Sequence, residues 1–355
     1  MPFSDLMSPE LHGIKCVVWD LDDTLWQGTL LEGDDVVMTE PVRHVIHELD
    51  RRGILQSISS KNWYDAAWEK LVGFGVDEYF LHPQISWASK SDSIKNIGDR
   101  LGIALDAFAF VDDQAFERDE VRHFLPDVTT IDVVDIDRLL DMPRMQPRFI
   151  TSESRMRRRM YQADINRQQH ENEFAGTKEE FLATLGMRLT IREARETDLR
   201  RAEELTLRTH QLNTTGRAYS YDTLRRLIDS PEKVVLVAEL EDRYGASGTI
   251  GLALIEQQAE AWSLKLLIMS CRVLTRGVGG AVISYILQSA KRRGVGVRAE
   301  FVETGRNRMM YATYKFHGFR EVEENGGLIV LAHDLERVLP CPRYITICPE
   351  IASFV

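Results

Sequence analysis

The sequence predicts an α/β protein with two domains, the first of which is built around a mainly parallel sheet. The chain has 355 residues, which is long for one domain. Its first part alternates short apolar runs with helical periodicities, a pattern typical of parallel strands joined by helices. A second series of strands and helices follows a segment that contains Pro143 and Pro147. We therefore expect a first domain over 1–141, a linker and connecting helix over 142–176, and a second domain over 177–355.

Composition narrows the class of protein. Hydrophobic residues make up 44% and charged residues 28% of the chain, which are ordinary values for a globular protein. The net charge of −11 argues against a general nucleic-acid-binding surface. No run approaches the roughly 18 apolar residues of a membrane span, and the N-terminus lacks the apolar core of a signal peptide. The 4 cysteines are few and irregularly spaced, which suits a reducing compartment. These features predict a cytoplasmic protein that binds neither nucleic acid nor membrane.

The elements of the first domain are predicted from short apolar runs and from helix-breaking residues. Strands are expected over 14–19, 55–60 and 108–111, with an extended segment over 79–86 that Pro83 marks as an edge or loop. A helix begins at Pro41 and ends at Gly53. Further helices are expected over 65–72, 94–101 and 115–124.

Three carboxylates within four residues follow the first predicted strand. They belong to Asp20, Asp22 and Asp23, and Thr24 comes next. Carboxylates at the end of a buried strand need a cation, because unpaired buried charge is very costly. Asp20 and Asp22 would suit either a divalent cation such as Mg²⁺ or a nucleophile with its general acid. A solvated acidic turn capped by Thr24 explains the same residues about equally well.

Polar groups also follow the other strands of this domain. Ser60 ends the second strand, and Lys90 precedes a helical stretch. Asp112 and Asp113 end the strand over 108–111. Ligands of open α/β sheets bind at the carboxyl ends of the strands, so these groups are expected to share one site. A surface lysine at a helix start is the alternative for Lys90, but the helix dipole disfavours a cation there.

The order Asp-x-Asp-x-Thr, Ser, Lys, Asp-Asp resembles the haloacid-dehalogenase-like (HAD-like) phosphatase superfamily. This resemblance implies that Asp20 is the nucleophile that forms an aspartyl-phosphate, and that Asp22 is the general acid and then the base. It implies Mg²⁺ held by Asp20, by the main-chain carbonyl of Asp22 and by Asp112, with Asp113 as a further candidate. Ser60 would bond a phosphoryl oxygen, Lys90 would neutralise charge, and Thr24 would contact the substrate. Ser59 is the alternative to Ser60, since an error of one residue at the strand end exchanges them.

The motifs 15–26, 110–114, 116–118, 208–216 and 269–273 resemble, in more detail, the FkbH-like family. Its members combine a HAD-like phosphatase domain with a second domain similar to the GCN5-related acetyltransferases (GNAT-like). They form glyceryl thioesters on acyl carrier proteins from 1,3-bisphosphoglycerate during polyketide biosynthesis. The sequence departs from the family at two positions. Relatives often have Asn where Asp23 stands, and some have Cys where Leu21 stands, so a thiol nucleophile at that second position is excluded here.

A basic run follows the predicted linker. Arg155, Arg157, Arg158 and Arg159 lie in a helix expected to extend to about Phe174. We interpret this run as a solvated helical face. An electrostatic patch for an acidic carrier protein or an anionic substrate is the alternative.

A glycine-rich turn is the main motif of the second domain. Strands are expected over 187–191, 234–240, 249–256, 262–271 and 297–302. Arg276, Gly277, Gly279 and Gly280 follow the fourth of them and precede a helix, so that backbone N–H groups could approach an anion. The pattern Arg-x-x-Gly-x-Ala resembles the pyrophosphate loop of GCN5-related acetyltransferases, which implies a GNAT-like fold here and binding of a pantetheine chain at these residues.

Thioester formation requires a thiol, and Cys271 is the candidate within the protein. It precedes the glycine-rich turn, where the helix start could lower its pKa. A buried strand cysteine that behaves as a small hydrophobe is the alternative. His210 and Asn213 could bind glycerate or its phosphate, although capping and turn roles explain them nearly as well.

The sequence thus predicts a phosphatase and glyceryltransferase that depends on Mg²⁺. Its expected substrates are 1,3-bisphosphoglycerate and the phosphopantetheine arm of an acyl carrier protein. The product would be a glyceryl-carrier protein for a methoxymalonyl- or hydroxymalonyl-type extender unit. The first alternative is a simple Mg²⁺-dependent phosphomonoesterase whose second domain only binds a partner. The second alternative, an N-acyltransferase with a degenerate first domain, conflicts with the intact motifs of the first domain.

Overall fold

The structure is a computed structural model that describes residues 13–351. The outer ends of the two predicted domain ranges, 1–12 and 352–355, lie outside the described residues. The chain divides into two compact units, 1–162 and 163–355. Both contain a sheet and helices, so the predicted α/β class, with a parallel sheet first and a second α/β part after it, is confirmed.

Unit 1 is built on a five-stranded sheet. Its strands are β1 (Cys16–Trp19), β2 (Leu55–Ser60), β3 (Gln84–Ile85), β4 (Phe108–Asp112) and β5 (Thr129–Asp132). Their order in the sheet is β3-β2-β1-β4-β5, and every pair is parallel. Since β1 lies in the centre, the polar residues that follow it are flanked by the ends of β2 and β4.

The helices of unit 1 alternate with these strands. They are α1 (Glu40–Arg52), α2 (Tyr64–Phe74), α3 (Lys90–Leu101), α4 (Ala115–Phe124) and the short α5 (Ile136–Leu139). The helix α6 (Ser152–Glu173) has its first half in this unit. The apolar faces of α1 and α2 pack on β1 and β2, where Trp19, Ile46, Leu49, Ile58 and Leu71 form part of a fully buried core. This core fixes β1 and thus the start of the acidic loop.

The basic run of α6 corrects one sequence-based interpretation. Arg157 and Arg158 are buried, with 8% and 7% of their surface exposed, so the interpretation as a solvated face is wrong for these two residues. Arg158 donates to Asp50 Oδ1 at 2.9 Å and to Glu78 Oε2 at 2.8 Å. A periodicity argument cannot anticipate this, because the carboxylates that neutralise the guanidinium come from distant segments. Arg155 and Arg159 are exposed as predicted.

Unit 2 contains an eight-stranded, mostly antiparallel sheet. Its strands are β6 (Met187–Glu193), β7 (Lys233–Asp242), β8 (Gly245–Gln257), β9 (Ala261–Met269), β10 (Gly296–Val302), β11 (Arg320–Asn325), β12 (Leu328–His333) and β13 (Ile345–Glu350). The order is β11-β12-β10-β9-β8-β7-β6-β13, with parallel pairing between β9 and β10 and between β6 and β13.

The helices of unit 2 include one long helix that follows the glycine-rich turn. They are α7 (Lys178–Thr184), α8 (Leu199–Arg208), α9 (Tyr221–Ile228), α10 (Val278–Arg293) and α11 (Arg308–Phe316). The apolar side of α10 is buried in the main core of this unit together with residues of β9, β10 and α11. Within 13–351, no helix has both the length and the apolar character needed to cross a membrane.

Candidate active site

The polar groups of unit 1 meet at the carboxyl edge of its sheet. β1 is paired in register with β2 and β4, so that the residue after Trp19 lies beside Ser59 and Asp112. This residue is Asp20, whose amide donates to the carbonyl of Val111 at 2.9 Å. The parallel register alone therefore brings a carboxylate from β1 next to a carboxylate from β4.

Lys90, the first residue of α3, reaches into this edge of the sheet. Its ammonium donates to Asp20 Oδ1 and, at 2.8 Å, to the carbonyl of Ser59. It also lies 3.2 Å from Asp112 Oδ2. Lys90, Asp20 and Asp112 have exposed fractions of 3%, 6% and 1%. A buried lysine at the start of a helix is stabilised here by two carboxylates and a carbonyl, which rules out the alternative of a surface lysine.

The three buried charges do not balance. Two carboxylates face one ammonium, which leaves one negative charge when all three groups are ionised. Burial raises the pKa of Asp20 to about 6, although Lys90 opposes the shift. Burial also raises the pKa of Asp112 against the effect of Lys90. Burial lowers the pKa of Lys90, but Asp20 and Asp112 raise it more, so the net shift is upward. A further cation at this site would therefore stabilise the ionised carboxylates.

A buried carboxylate oxygen makes Asp112 suitable as a ligand of a metal ion. Asp112 Oδ2 is buried and no hydrogen bond is directed at it, since its contact with Lys90 is an ion pair without hydrogen-bond geometry. Among residues 13–351, no group of three or more His, Cys, Asp and Glu side chains is arranged to hold a metal. Mg²⁺ in phosphoryl-transfer sites is commonly bound by one or two carboxylates together with water and phosphate oxygens. Asp20 and Asp112 meet that requirement.

Asp22 lies in the loop that follows β1 and is held by three donors. Its Oδ1 accepts from Trp26 Nε1 at 2.8 Å and from the amide of Leu30 at 2.9 Å. Its Oδ2 accepts from Asn62 Nδ2 at 2.8 Å. Asp22 is partly exposed, whereas Asp20 is buried. The two carboxylates of the Asp-x-Asp pair thus have different environments, as different chemical roles would require.

Thr24 and Asp23 stabilise this loop. The hydroxyl of Thr24 accepts from the amide of Asp113 at 3.0 Å and lies 3.4 Å from Asp113 Oδ1. Asp23 has a φ of 50°, and its Oδ1 accepts from the amide of Gly28 at 2.9 Å. Asp and Asn are the non-glycine residues that best tolerate this left-handed conformation. The conformation and the contact with Gly28 give Asp23 a role in the structure of this loop.

Ser59 and Ser60 are both buried at the end of β2. The carbonyl of Ser59 binds Lys90, and the carbonyl of Ser60 accepts from the amide of Ser86 at 3.0 Å. Their exposed fractions are 1% and 4%. Which hydroxyl faces a phosphoryl group stays a prediction, with Ser60 as the first choice.

Unit 2 has a cleft of about 330 Å³ beside the glycine-rich turn. Gly277, Gly279 and Gly280 line it, together with His317 and Tyr344. Gly277 has a φ of 72°, and a Cβ atom there would lie 2.7 Å from Tyr344 Oη. A Cβ atom on Gly280 would lie 3.0 Å from His317 Cε1. A side chain at position 277 would therefore be strained and would meet Tyr344, and one at position 280 would require His317 to move, while the binding role of the turn stays a prediction.

Arg276 does not line this cleft. Only 3% of its surface is exposed, and its guanidinium donates to Asp164 Oδ1 and, at 3.4 Å, to Asp242 Oδ2. Burial, together with Arg167, lowers the pKa of Arg276 against the effect of Asp164 and Asp242. These contacts indicate that Arg276 stabilises the structure of unit 2. The resemblance instead implies that Arg276 binds pantetheine.

We expect Arg276→Met to destabilise unit 2 by about 1.5–3 kcal/mol, because hydrogen bonds to charged groups are lost. Urea unfolding of the variant would measure this loss. Arg306→Met, which changes an exposed arginine of the same unit, is the control. Unchanged stability combined with weaker binding of a pantetheine thiol would instead support the role in binding.

Cys271 differs from the sequence-based prediction in its position. β9 ends at Met269, and Cys271 is the exposed first residue of the 3₁₀ turn Cys271–Arg276. The predictions that it ends a strand and, as the alternative, that it is a buried hydrophobe are both wrong. It is not among the residues that line the cleft, although Val273 and Leu274 of the same turn are. Its role as a nucleophile stays a prediction.

Asn213 has a turn role in the structure. Its Oδ1 accepts from the amides of Thr215 and Gly216 at 3.1 and 2.9 Å, and its Nδ2 donates to the carbonyl of Arg217 at 3.1 Å. These contacts agree with the turn role that was the alternative to binding glycerate or its phosphate. His210 is half-buried two residues after α8, and its binding role stays a prediction.

Two residues that contact Asp22 were not singled out from the sequence. Asn62 lies two residues beyond β2, and Trp26 is buried in the loop after β1. Their sequence positions beside the Ser and Asp motifs are the only signal that could have identified them. Side-chain direction in a loop is not encoded in any periodicity.

Comparisons with known proteins gave partial similarities. No family model matches the chain, and no curated protein matches it. The N-terminal part of the protein BF1531 from Bacteroides fragilis, a structure that contains a phosphatase domain complexed with Mg, is 26% identical over 38% of this chain, with a TM-score of 0.30. The match covers 40% of that chain.

Two solved acetyltransferases match a similar share of the sequence. The ribosomal-protein-S18-alanine N-acetyltransferase from Escherichia coli is 19% identical over 41% of this chain and 92% of its own, with a TM-score of 0.33. The PaiA N-acetyltransferase from Thermoplasma acidophilum, solved in complex with coenzyme A, is 16% identical over 41% of this chain and 97% of its own, with a TM-score of 0.33.

Proposed function

We propose that this protein is a bifunctional phosphatase and glyceryltransferase of the FkbH-like type. It transfers the glyceryl group of 1,3-bisphosphoglycerate to the phosphopantetheine thiol of an acyl carrier protein and removes the remaining phosphate. Its glyceryl-carrier product would serve a methoxymalonyl- or hydroxymalonyl-type extender unit in the cytoplasm. The observation that carries the proposal is the buried cluster of Asp20, Lys90 and Asp112, with Asp22 held beside it.

The phosphatase step follows from the positions of the two motif carboxylates. Asp20 attacks phosphorus, and the bond between phosphorus and the ester oxygen breaks. Asp22 gives its proton to the leaving oxygen and then accepts a proton from water. The water oxygen bonds to phosphorus as the bond to Asp20 breaks, which releases inorganic phosphate. Lys90 donates to Asp20 and neutralises part of the charge.

Mg²⁺ belongs to this proposal as the cation that the excess negative charge requires. Asp20, Asp112 and the main-chain carbonyl of Asp22 would hold it, with Asp113 near them. When bound, it would neutralise charge on the phosphoryl oxygens.

The cleft of unit 2 supports the acyl-transfer half of the proposal. It is lined mostly by apolar side chains and by the glycine-rich turn at the start of α10. A long, thin and largely uncharged chain such as pantetheine suits such a surface. Cys271 is exposed near the turn and could take up the acyl group first, or the carrier thiol could attack the acyl phosphate directly.

A simple Mg²⁺-dependent phosphomonoesterase is the second candidate. The position of Cys271 favours this candidate, because Cys271 does not line the cleft. The acyl-transfer reaction then has no identified nucleophile among the residues that line the cavity. In that case unit 2 would only bind a partner.

The test is the intact mass of a phosphopantetheinylated carrier protein after incubation with enzyme, Mg²⁺ and 1,3-bisphosphoglycerate. We expect a glyceryl adduct with the wild type and a phosphoglyceryl adduct with Asp20→Asn. Loss of every adduct with Cys271→Ala, but not with the control Cys348→Ala, would establish an acyl intermediate on Cys271. Phosphate release from simple esters without any carrier adduct would reject the transferase and leave the phosphomonoesterase.

A further inference from the structure

The carboxylate of Asp22 is fixed from two sides. Trp26 Nε1 and the amide of Leu30 donate to one oxygen, and both donors belong to the loop that follows β1. Asn62 Nδ2 donates to the other oxygen from the loop that follows β2. Hydrogen bonds to both oxygens define the plane of a carboxylate as well as its position. Because Asp22 is partly exposed, packing alone does not define either.

The contacts of the Asn62 side chain indicate that it orients Asp22. It is 2% exposed, and its Oδ1 has no hydrogen-bond partner. In the part of the chain that the structure describes, the one hydrogen bond of its side chain goes to Asp22. Burial of an amide with an unpaired oxygen costs free energy and calls for an explanation. Asn213 and Asn307, by contrast, bond backbone groups and hold their turns together.

Trp26 provides the second side-chain donor. It is 1% exposed, and only its indole N–H makes a polar contact with the loop carboxylate. The ring packs in the core of unit 1, so the donor is attached to a rigid element. A donor fixed in this way restricts the rotation of Asp22 more than a flexible side chain would.

We infer that Asn62 is a positioning residue of the phosphatase site, which acts with Trp26 to aim the carboxyl group of Asp22 at the leaving oxygen and then at the attacking water. This inference rests on the proposed phosphatase function. Asn62 takes no part in the covalent steps, and the protons move only between Asp22, the leaving oxygen and water. General acid–base catalysis typically contributes 10²–10⁴-fold, so a misplaced Asp22 should lose a large part of this factor.

The test uses the full chain with Asn62→Ala and two phosphate esters. p-Nitrophenyl phosphate has a leaving group that needs little protonation, whereas 3-phosphoglycerate has a poor one. With the aryl ester we expect a burst of about one p-nitrophenol per enzyme and then a steady rate about 10²-fold below the wild type, since aspartyl-phosphate forms but is hydrolysed slowly. With 3-phosphoglycerate we expect a loss of about 10²-fold in kcat with no burst and a smaller change in KM.

Two further variants separate positioning from folding. Trp26→Phe keeps an aromatic ring but removes the N–H donor, and it should show the same burst with a smaller loss. Asn96→Ala removes an exposed amide of the same unit and should behave as the wild type. A purely structural role of Asn62 would reduce burst and steady rate together, in proportion to the folded fraction, and that result would overturn the inference. Unchanged kinetics would also overturn it.

Failure of the proposed function gives a different result. If the wild type released phosphate from neither ester nor from a phosphoglyceryl carrier protein, both the function and the inference would fall. If the wild type were active and Asn62→Ala equally active, only the inference would fall.

Discussion

Asp20→Asn is expected to lower kcat for phosphate release by at least about 10⁴-fold, because removal of an enzymatic nucleophile usually costs this much or more. The substitution is nearly isosteric, and Lys90 keeps its contacts with Asp112 and with the carbonyl of Ser59. We therefore expect the fold to persist. Release of inorganic phosphate from 3-phosphoglycerate and from the phosphoglyceryl carrier protein measures the loss.

The matched control for this prediction is Asp99→Asn, which changes an exposed carboxylate on α3 in the same unit. It should leave both the rate and the unfolding midpoint unchanged. Residual activity of Asp20→Asn within tenfold of the wild type, with folding intact by circular dichroism, would show that Asp20 is not the nucleophile. Acyl transfer to the carrier should survive in Asp20→Asn, which separates the two activities.

The arrangement of the site in unit 1 was predictable to the extent that topology determines it. Parallel strands end at one edge of a sheet, so the polar residues after β1, β2 and β4 had to converge once these strands were recognised. Apolar runs identify β1 and β4, whereas β2 is fully buried although its sequence, LQSISS, is mostly polar. The register then places Asp20 beside Asp112. Their catalytic roles stay predictions.

Contacts that depend on side-chain direction were not predictable. Asn62 lies in an irregular loop, and nothing in its neighbours shows that its amide faces Asp22. Arg276 is the arginine of the Arg-x-x-Gly-x-Ala pattern, which predicts a binding role. Its long side chain nevertheless donates hydrogen bonds to Asp164 and Asp242. A motif fixes the backbone of a turn, whereas the partners of a flexible cation come from segments far away in the sequence.

Two strands of unit 2, β11 and β13, lack the sequence pattern of a buried or half-buried strand. Every residue of β11 is exposed, so its sequence lacks the alternation of a half-buried strand. Half of the residues of β13 are exposed, and the strand contains Pro349, which normally counts against a strand. Both are edge strands of the sheet, where such residues are tolerated. Their pairing partners, rather than their own sequences, determine their structure.

Lys90→Met is expected to be the most destabilising change at the site. It leaves Asp20 and Asp112 buried with no ammonium between them, and removal of one partner from a buried ionic cluster typically costs about 3–5 kcal/mol. Urea unfolding at pH 7 in buffer with a metal chelator would measure the loss. Lys95→Met is the control, because Lys95 is an exposed lysine of the same helix and its replacement should change the free energy of unfolding by at most about 0.5 kcal/mol.

The pH dependence of this loss has a defined sign. The pKa of Asp20 is raised by burial from 3.8 to about 6 in the wild type, so the folded state binds more protons than the unfolded state between these values. The contribution of Asp20 to the free energy of unfolding is therefore largest at low pH and is lost as the pH rises through about 6. Without Lys90 the pKa of Asp20 should rise further, because the cation that opposes the effect of burial is gone. The destabilisation of Lys90→Met should accordingly be small at pH 4 and full at pH 8.

Mg²⁺ provides the decisive comparison. If Asp20 and Asp112 hold the metal, added Mg²⁺ should raise the unfolding midpoint of Lys90→Met more than that of the wild type, since the variant presents two carboxylates without a competing ammonium. The stabilisation should increase with the Mg²⁺ concentration and disappear in Asp112→Asn. Equal shifts in all three proteins would mean that the carboxylates of this cluster do not bind the metal.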